Sequence, residues 1–162
     1  MVEYPLLSGK RVLLVDDEPD ILDTLEDLLE MCTVTKADHF QAARQFFEET
    51  RFDLAILDIM GVEGFTLLEL AVARQVPAVM LTAHALSPDN LVKSFRGGAA
   101  SYLPKEEMVN IASFLEDILE ANQKGKTPWS RWYDRMAAFL QRRFGPEWHG
   151  SDEKLEGEVT SR

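Results

Sequence analysis

A chain of 162 residues, 46% hydrophobic and 28% charged, has enough apolar side chains for one domain with a buried core plus an appendage. Its net charge of −11 argues against general nucleic-acid binding, because phosphates repel an acidic body. No apolar run approaches the ~20 residues needed to cross a bilayer, Met1-Val2-Glu3-Tyr4-Pro5 lacks a signal-peptide pattern, and the single Cys32 reads as a core residue of a reducing compartment, so a cytoplasmic location is expected.

In chain order, Lys10–Asp16 reads as a buried strand. A helix over Glu18–Met31 follows, with Pro19 in its first turn and Ile21, Leu22, Leu25, Leu28 and Leu29 at helical spacing. Cys32–Ala37 is a short β-branched strand, after which Asp38 is suited to cap a helix reaching Thr50. Phe52–Asp58 is the third strand, and a helix near Phe65–Arg74 comes next. Pro77–Thr82 is the fourth strand. Ser87-Pro88 has the pattern of a helix start, and Gly97-Gly98 ends that helix. Ala100–Leu103 is the fifth strand, and Glu106–Asn122 the last helix of the body.

Five strand–helix units with short connections predict a parallel, doubly wound sheet. Such a sheet brings the carboxyl ends of its strands to one edge. Asp16-Asp17, Asp58 and Lys105 all lie at strand ends, so three carboxylates and an ammonium are expected to meet there. That set can hold a hard divalent cation and offer one carboxylate to a phosphoryl donor. The first strand runs into Asp-Asp-Glu-Pro and lacks the glycine-rich turn that binds pyrophosphate, which weakens a dinucleotide-binding reading. Each residue alone has a bland explanation: an acidic helix start, a turn aspartate, a solvated lysine. Their coincidence at successive loops of one sheet edge argues against it.

With Thr82-Ala83 after the fourth strand and Tyr102-x-x-Lys105 around the fifth, residues 10–122 resemble the receiver domain of bacterial two-component response regulators. The resemblance implies a flavodoxin-like (βα)5 sheet. It also implies that Asp58 accepts a phosphoryl group from a histidine kinase or phosphotransfer protein. Mg²⁺ would be held by Asp16, Asp17, Asp58 and the backbone carbonyl of Met60. Lys105 would pair with a phosphoryl oxygen, Thr82 would donate its hydroxyl to the phosphoryl group, and Tyr102 would be the aromatic residue drawn inward. The expected switch surface lies around Leu91, Phe95 and Tyr102. Met60 and His84, flanking the site, imply slow self-dephosphorylation.

The segment Ile59-Met60-Gly61-Val62-Glu63-Gly64 departs from the family pattern. Its glycine comes six residues after Asp58 where about eight is usual, and Gly61 stands near the usual proline. Proline precedes Lys105 and Glu106 follows it, so the prolyl bond the family has after this lysine is absent.

Beyond a polar linker, Thr127-Pro128 starts a helix over Trp129–Phe144 with Trp129, Trp132, Met136, Phe139, Leu140 and Phe144 on one stripe. Arg131, Arg135 and Arg142 are expected opposite, and Gly145-Pro146 ends the helix. A lone 16-residue amphipathic helix is unstable in water, so it packs on the body, pairs in a homodimer or docks on a partner. The organisation is therefore a receiver domain over 1–123, a linker and amphipathic helix over 124–146, and a disordered tail over 147–162. Residues 124–146 are too short for a DNA-binding output domain. The expected function is phosphorelay signalling through protein contact, with no enzymatic turnover beyond self-phosphorylation and self-dephosphorylation. A phosphorylation-independent scaffold and a Mg²⁺-dependent phosphatase or phosphotransferase are the competing classes.

Overall fold

The computed structural model describes residues 4–83 and 87–144, the side chains of 138–140 and 142–144 excepted. Five strands, β1 (Arg11–Val15), β2 (Thr33–Ala37), β3 (Leu54–Asp58), β4 (Ala78–Thr82) and β5 (Ser101–Pro104), form a parallel sheet in the order β2-β1-β3-β4-β5. Between them run α1 (Pro19–Leu28), α2 (Phe40–Glu49), α3 (Gly64–Ala73) and α4 (Pro88–Arg96). After β5 come a 3₁₀ segment (Lys105–Asn110), α5 (Ile111–Gln123) and α6 (Trp129–Phe144). This is the expected doubly wound fold with an added helix.

The central strands are apolar because helices cover both faces of the sheet. Val12–Val15, Leu54–Leu57 and Ala78–Leu81 are all buried. β2 lies at one edge, and its Thr33, Thr35 and Lys36 are exposed or half-buried. β5 lies at the other edge, yet all four of its residues are buried. The difference is α6, whose Trp129, Trp132 and Met136 are at most 3% exposed.

Several local expectations shift. Ser87 caps α4 as expected, its Oγ accepting from Asn90 N at 3.3 Å. Asp38 does not cap α2. His39 takes that position, and the Asp38 carboxylate pairs with His39 Nδ1 at 2.6 Å. The last body helix opens as a 3₁₀ turn and becomes α-helical only at Ile111. First-turn N–H groups lack i−4 partners, and a tighter turn is a common accommodation. The segment before β1 also docks: Leu6 N and Leu7 N donate to Glu116, and Tyr4 and Ser113 share a hydrogen bond.

α6 packs on the body of its own chain. Arg131 and Arg135 were expected to lie away from the packed stripe; they reach back to α5, pairing with Asp117, and Arg131 also with Glu120. Gly145-Pro146, the tail 147–162 and His84 lie outside the described residues. No described helix is long and apolar enough to cross a membrane.

Candidate functional site

The strand register aligns the site. Val15 of β1 pairs with Leu57 of β3, Asp58 with Leu81 of β4, and Thr82 with Pro104 of β5. Asp16 and Asp58 therefore stand level, with Thr82 one residue and Lys105 two residues further along the same sheet edge. The strand order reverses between β1 and β3, where open α/β sheets form a crevice beyond the strand ends. Asp16-Asp17 and Asp58 stand on its two sides.

Lys105 Nζ joins them. It lies 2.9 Å from Asp16 Oδ2, 3.0 Å from Glu18 Oε1 and 3.5 Å from Asp58 Oδ1, with its side chain only 10% exposed. The peptide after Lys105 is trans, as no cis bond occurs among the described residues. Pro104 in extended conformation, followed by the 3₁₀ turn, delivers the lysine instead. Glu18 was not anticipated as its partner; the only hint in the sequence was its place beside Asp17.

Charge is not balanced here. Asp16 is fully buried and Asp58 is 3% exposed. Asp16 Oδ1 accepts from Glu18 N at 2.9 Å, whereas Oδ2 is buried without a hydrogen bond, its contact with Lys105 being a close ion pair. Burial raises the Asp16 pKa, outweighing Lys105. Burial, then the charges of Asp16 and Asp17, push Asp58 up to about 7 against the pull of Lys105. For Lys105, burial favours the neutral amine, but Asp16, Glu18 and Asp58 outweigh it and lift the ammonium to about 12. Crowded acidic oxygens with one buried oxygen lacking a hydrogen bond are a donor set that suits a hard cation. Asp16, Asp17 and Glu18 each place a carboxylate oxygen within 4.8 Å of the others.

The short segment after Asp58 achieves its turn with left-handed backbone. Gly61 has φ +86° and Glu63 φ +54°. A Cβ on Gly61 would overlap the Asp17 carboxylate, and one on Gly64 would overlap the Asp58 carbonyl. The glycines let this turn lie against both acidic positions. Met60 points its side chain outward at 62% exposure.

Thr82 and Tyr102 complete the neighbourhood. Thr82 is 2% exposed and Tyr102 fully buried. Burial pushes the Tyr102 phenol up to about 12, against the opposing effects of the Ser87 backbone and the Thr82 hydroxyl. Its hydroxyl nevertheless forms no hydrogen bond of ordinary geometry. The structure thus brings Asp16, Asp58 and Lys105 into contact, sets Asp17 against the adjoining turn, and places Thr82 and Tyr102 at the same sheet edge.

Comparison with known proteins agrees with this arrangement. The response regulator receiver domain family matches residues 12–116. The two-component response regulator ARR12 of Arabidopsis thaliana is 40% identical over 120 residues, 67% of this chain and 20% of that protein. ARR18 from the same plant is 39% identical over 113 residues, 64% of this chain and 18% of that protein. The chain thus spans about a fifth of the length of these relatives. A CheY-like receiver domain protein from Methanospirillum hungatei superposes with a TM-score of 0.60 at 30% identity, covering 71% of this chain and 99% of that one. A response regulator from Thermotoga maritima reaches 0.63 at 21% identity, over 69% and 98%, and shares the fold. With a family match across most of the sheet and relatives of this identity, the chain belongs to the response regulator receiver domain family of two-component signalling.

Proposed function

We propose that this protein accepts a phosphoryl group on Asp58 from the phosphohistidine of a histidine kinase or phosphotransfer protein, in a Mg²⁺-dependent reaction, and signals through protein contact. The observation that carries this reading is the buried Asp58, 3.5 Å from Lys105 and crowded by Asp16 and Asp17. An Asp58 carboxylate oxygen attacks phosphorus, the P–N bond breaks, and the imidazole leaves with its electron pair and takes up a proton.

Asp16, Asp17, Asp58 and the Met60 carbonyl would hold the cation, which supplies charge neutralisation for the acidic cluster and the phosphoryl oxygens. The buried Asp16 oxygen, met only by the Lys105 ammonium, and the raised Asp58 pKa support that assignment. Lys105, already split between Asp16, Glu18 and Asp58, pairs with a phosphoryl oxygen as a point charge. Thr82 donates its hydroxyl to the phosphoryl group, and Tyr102 beside it is the switch residue. The acid that Mg²⁺-dependent phosphatases and phosphotransferases carry two residues after their aspartate is replaced by outward-facing Met60, which favours a phosphoacceptor over a turnover enzyme.

Incubation with Mg²⁺ and acetyl phosphate, followed by intact mass, tests the reading. Wild type gains one phosphoryl group, about 80 Da. Asp58→Asn, or omission of Mg²⁺, abolishes the gain. An unmodified wild type would refute the proposal and favour a phosphorylation-independent scaffold.

A further inference from the structure

The function of α6 is not explained by the acidic cluster, yet its contacts are specific. It touches α4, β5 with its lead-in, and α5. The Trp129 and Phe95 rings meet edge-on with centroids 5.1 Å apart, and Trp129 and Trp132 pack against each other at the same separation. Trp129 Nε1 donates to Ala99 O at 2.8 Å, and Trp132 Nε1 donates to Tyr102 O at 2.5 Å. Arg131 and Arg135 pair with Asp117 on α5. One of these anchors therefore lies on the backbone of the residue whose side chain adjoins Thr82.

The Tyr102 ring needs such support. Its hydroxyl is buried without an ordinary hydrogen bond, a condition that favours release of the side chain toward water. The ring is nevertheless fully buried, and the backbone that carries it is held by α6 through the bond from Trp132 to the Tyr102 carbonyl.

We propose that α6 sets the switch, with Trp132 as a positioning residue that acts through Tyr102 and keeps the phenol packed inward beside Thr82. The proposal rests on the reading of Asp58 as phosphoacceptor for its link to signalling. Coupling of this kind is reciprocal. A docked α6 favours the arrangement that receives the phosphoryl group, and phosphorylation tightens α6 on the body.

The test uses the full chain and has two arms. The first needs no phosphodonor: hydrogen exchange over residues 99–105 is compared between wild type and Trp132→Phe, which keeps an aromatic ring and loses the N–H. Exchange of the β5 amides should rise roughly fivefold, the equivalent of one neutral hydrogen bond, while β1 and β3 stay unchanged. Unchanged β5 exchange overturns the proposal. The second arm follows α6 in wild type with Mg²⁺ and acetyl phosphate, reading only the mass-shifted species, with Asp58→Asn as control. Exchange over residues 129–137 should slow severalfold in the phosphorylated chain alone, a response that a merely structural helix would not give. Equal exchange in phosphorylated and unmodified chains also overturns it. Absence of any mass shift in wild type would instead count against Asp58 as phosphoacceptor, and the first arm would still decide the hold of α6 on Tyr102.

Discussion

Two buried aspartates, Asp58 at the strand ends and Asp117 on α5, show how one residue type serves opposite ends. Asp58 is 3% exposed and faces Asp16 and Asp17, with a single lysine at 3.5 Å shared among three acids. Asp117 is 6% exposed and faces two guanidiniums, those of Arg131 and Arg135. At the first the local charges conflict; at the second they match. A buried carboxylate surrounded by its own sign costs stability unless a ligand joins it, whereas one matched by its own chain fastens two helices. The distinction separates a chemical site from an architectural seam without reference to any relative.

The same kind of substitution should therefore act in opposite directions. Asp58→Asn should stabilise the metal-free protein by on the order of 3 kcal/mol at pH 8. The sign follows from proton uptake: Asp58 titrates near 7 when folded and near 3.9 when unfolded. Between those values the folded protein keeps a proton that the unfolded chain gives up, so stability falls as pH rises from about 4 to 7. The mutant's advantage should vanish near pH 4 and shrink when Mg²⁺ is added. Urea unfolding at the two pH values measures it, and a destabilised mutant at pH 8 would break the contrast.

Asp117→Asn should instead destabilise by about 2 kcal/mol. Full burial would cost more, but Arg131 and Arg135 are 50% and 44% exposed, so solvent screens the pair. Acetyl phosphate labelling at Asp58 should survive this change, which separates damage to the seam from damage to the site.

Gly61→Ala should cost about 1–2 kcal/mol, because alanine must adopt a left-handed backbone and its Cβ meets the Asp17 carboxylate. Mg²⁺ affinity, read by calorimetry, should fall roughly tenfold as that carboxylate is displaced. The smallest effect is expected of Ser87→Ala, about 1 kcal/mol from the lost α4 cap. Its thermal midpoint should drop while Mg²⁺ affinity stays put.

Much of the sheet was legible because strand-ending acids and apolar runs are local signals. Asp16, Asp17, Asp58, Thr82 and Lys105 each end a readable strand, and parallel topology does the rest. What escaped was the information carried by distant partners. Nothing near Glu116 announces that it binds the backbone of Leu6 and Leu7. Arg131 and Arg135 read only as lying opposite the apolar stripe of α6, with Asp117 and Glu120 beneath them unseen. Asp38 met the residue preference of a cap, but His39 competed for its carboxylate. The indole donors of Trp129 and Trp132 signalled only amphipathicity, and their acceptors lie 30 residues away, on β5 and the residues leading into it.

The connection between α5 and α6 spans only residues 124–128, with Gly125 in left-handed conformation at φ +67°. A tether this short holds the tryptophan helix beside its seat at an effective concentration in the millimolar range. Any free protein seeking the same surface at micromolar levels would begin at a disadvantage of about a thousandfold. A successful competitor would need either exceptional affinity or a prior event that lifts the helix away.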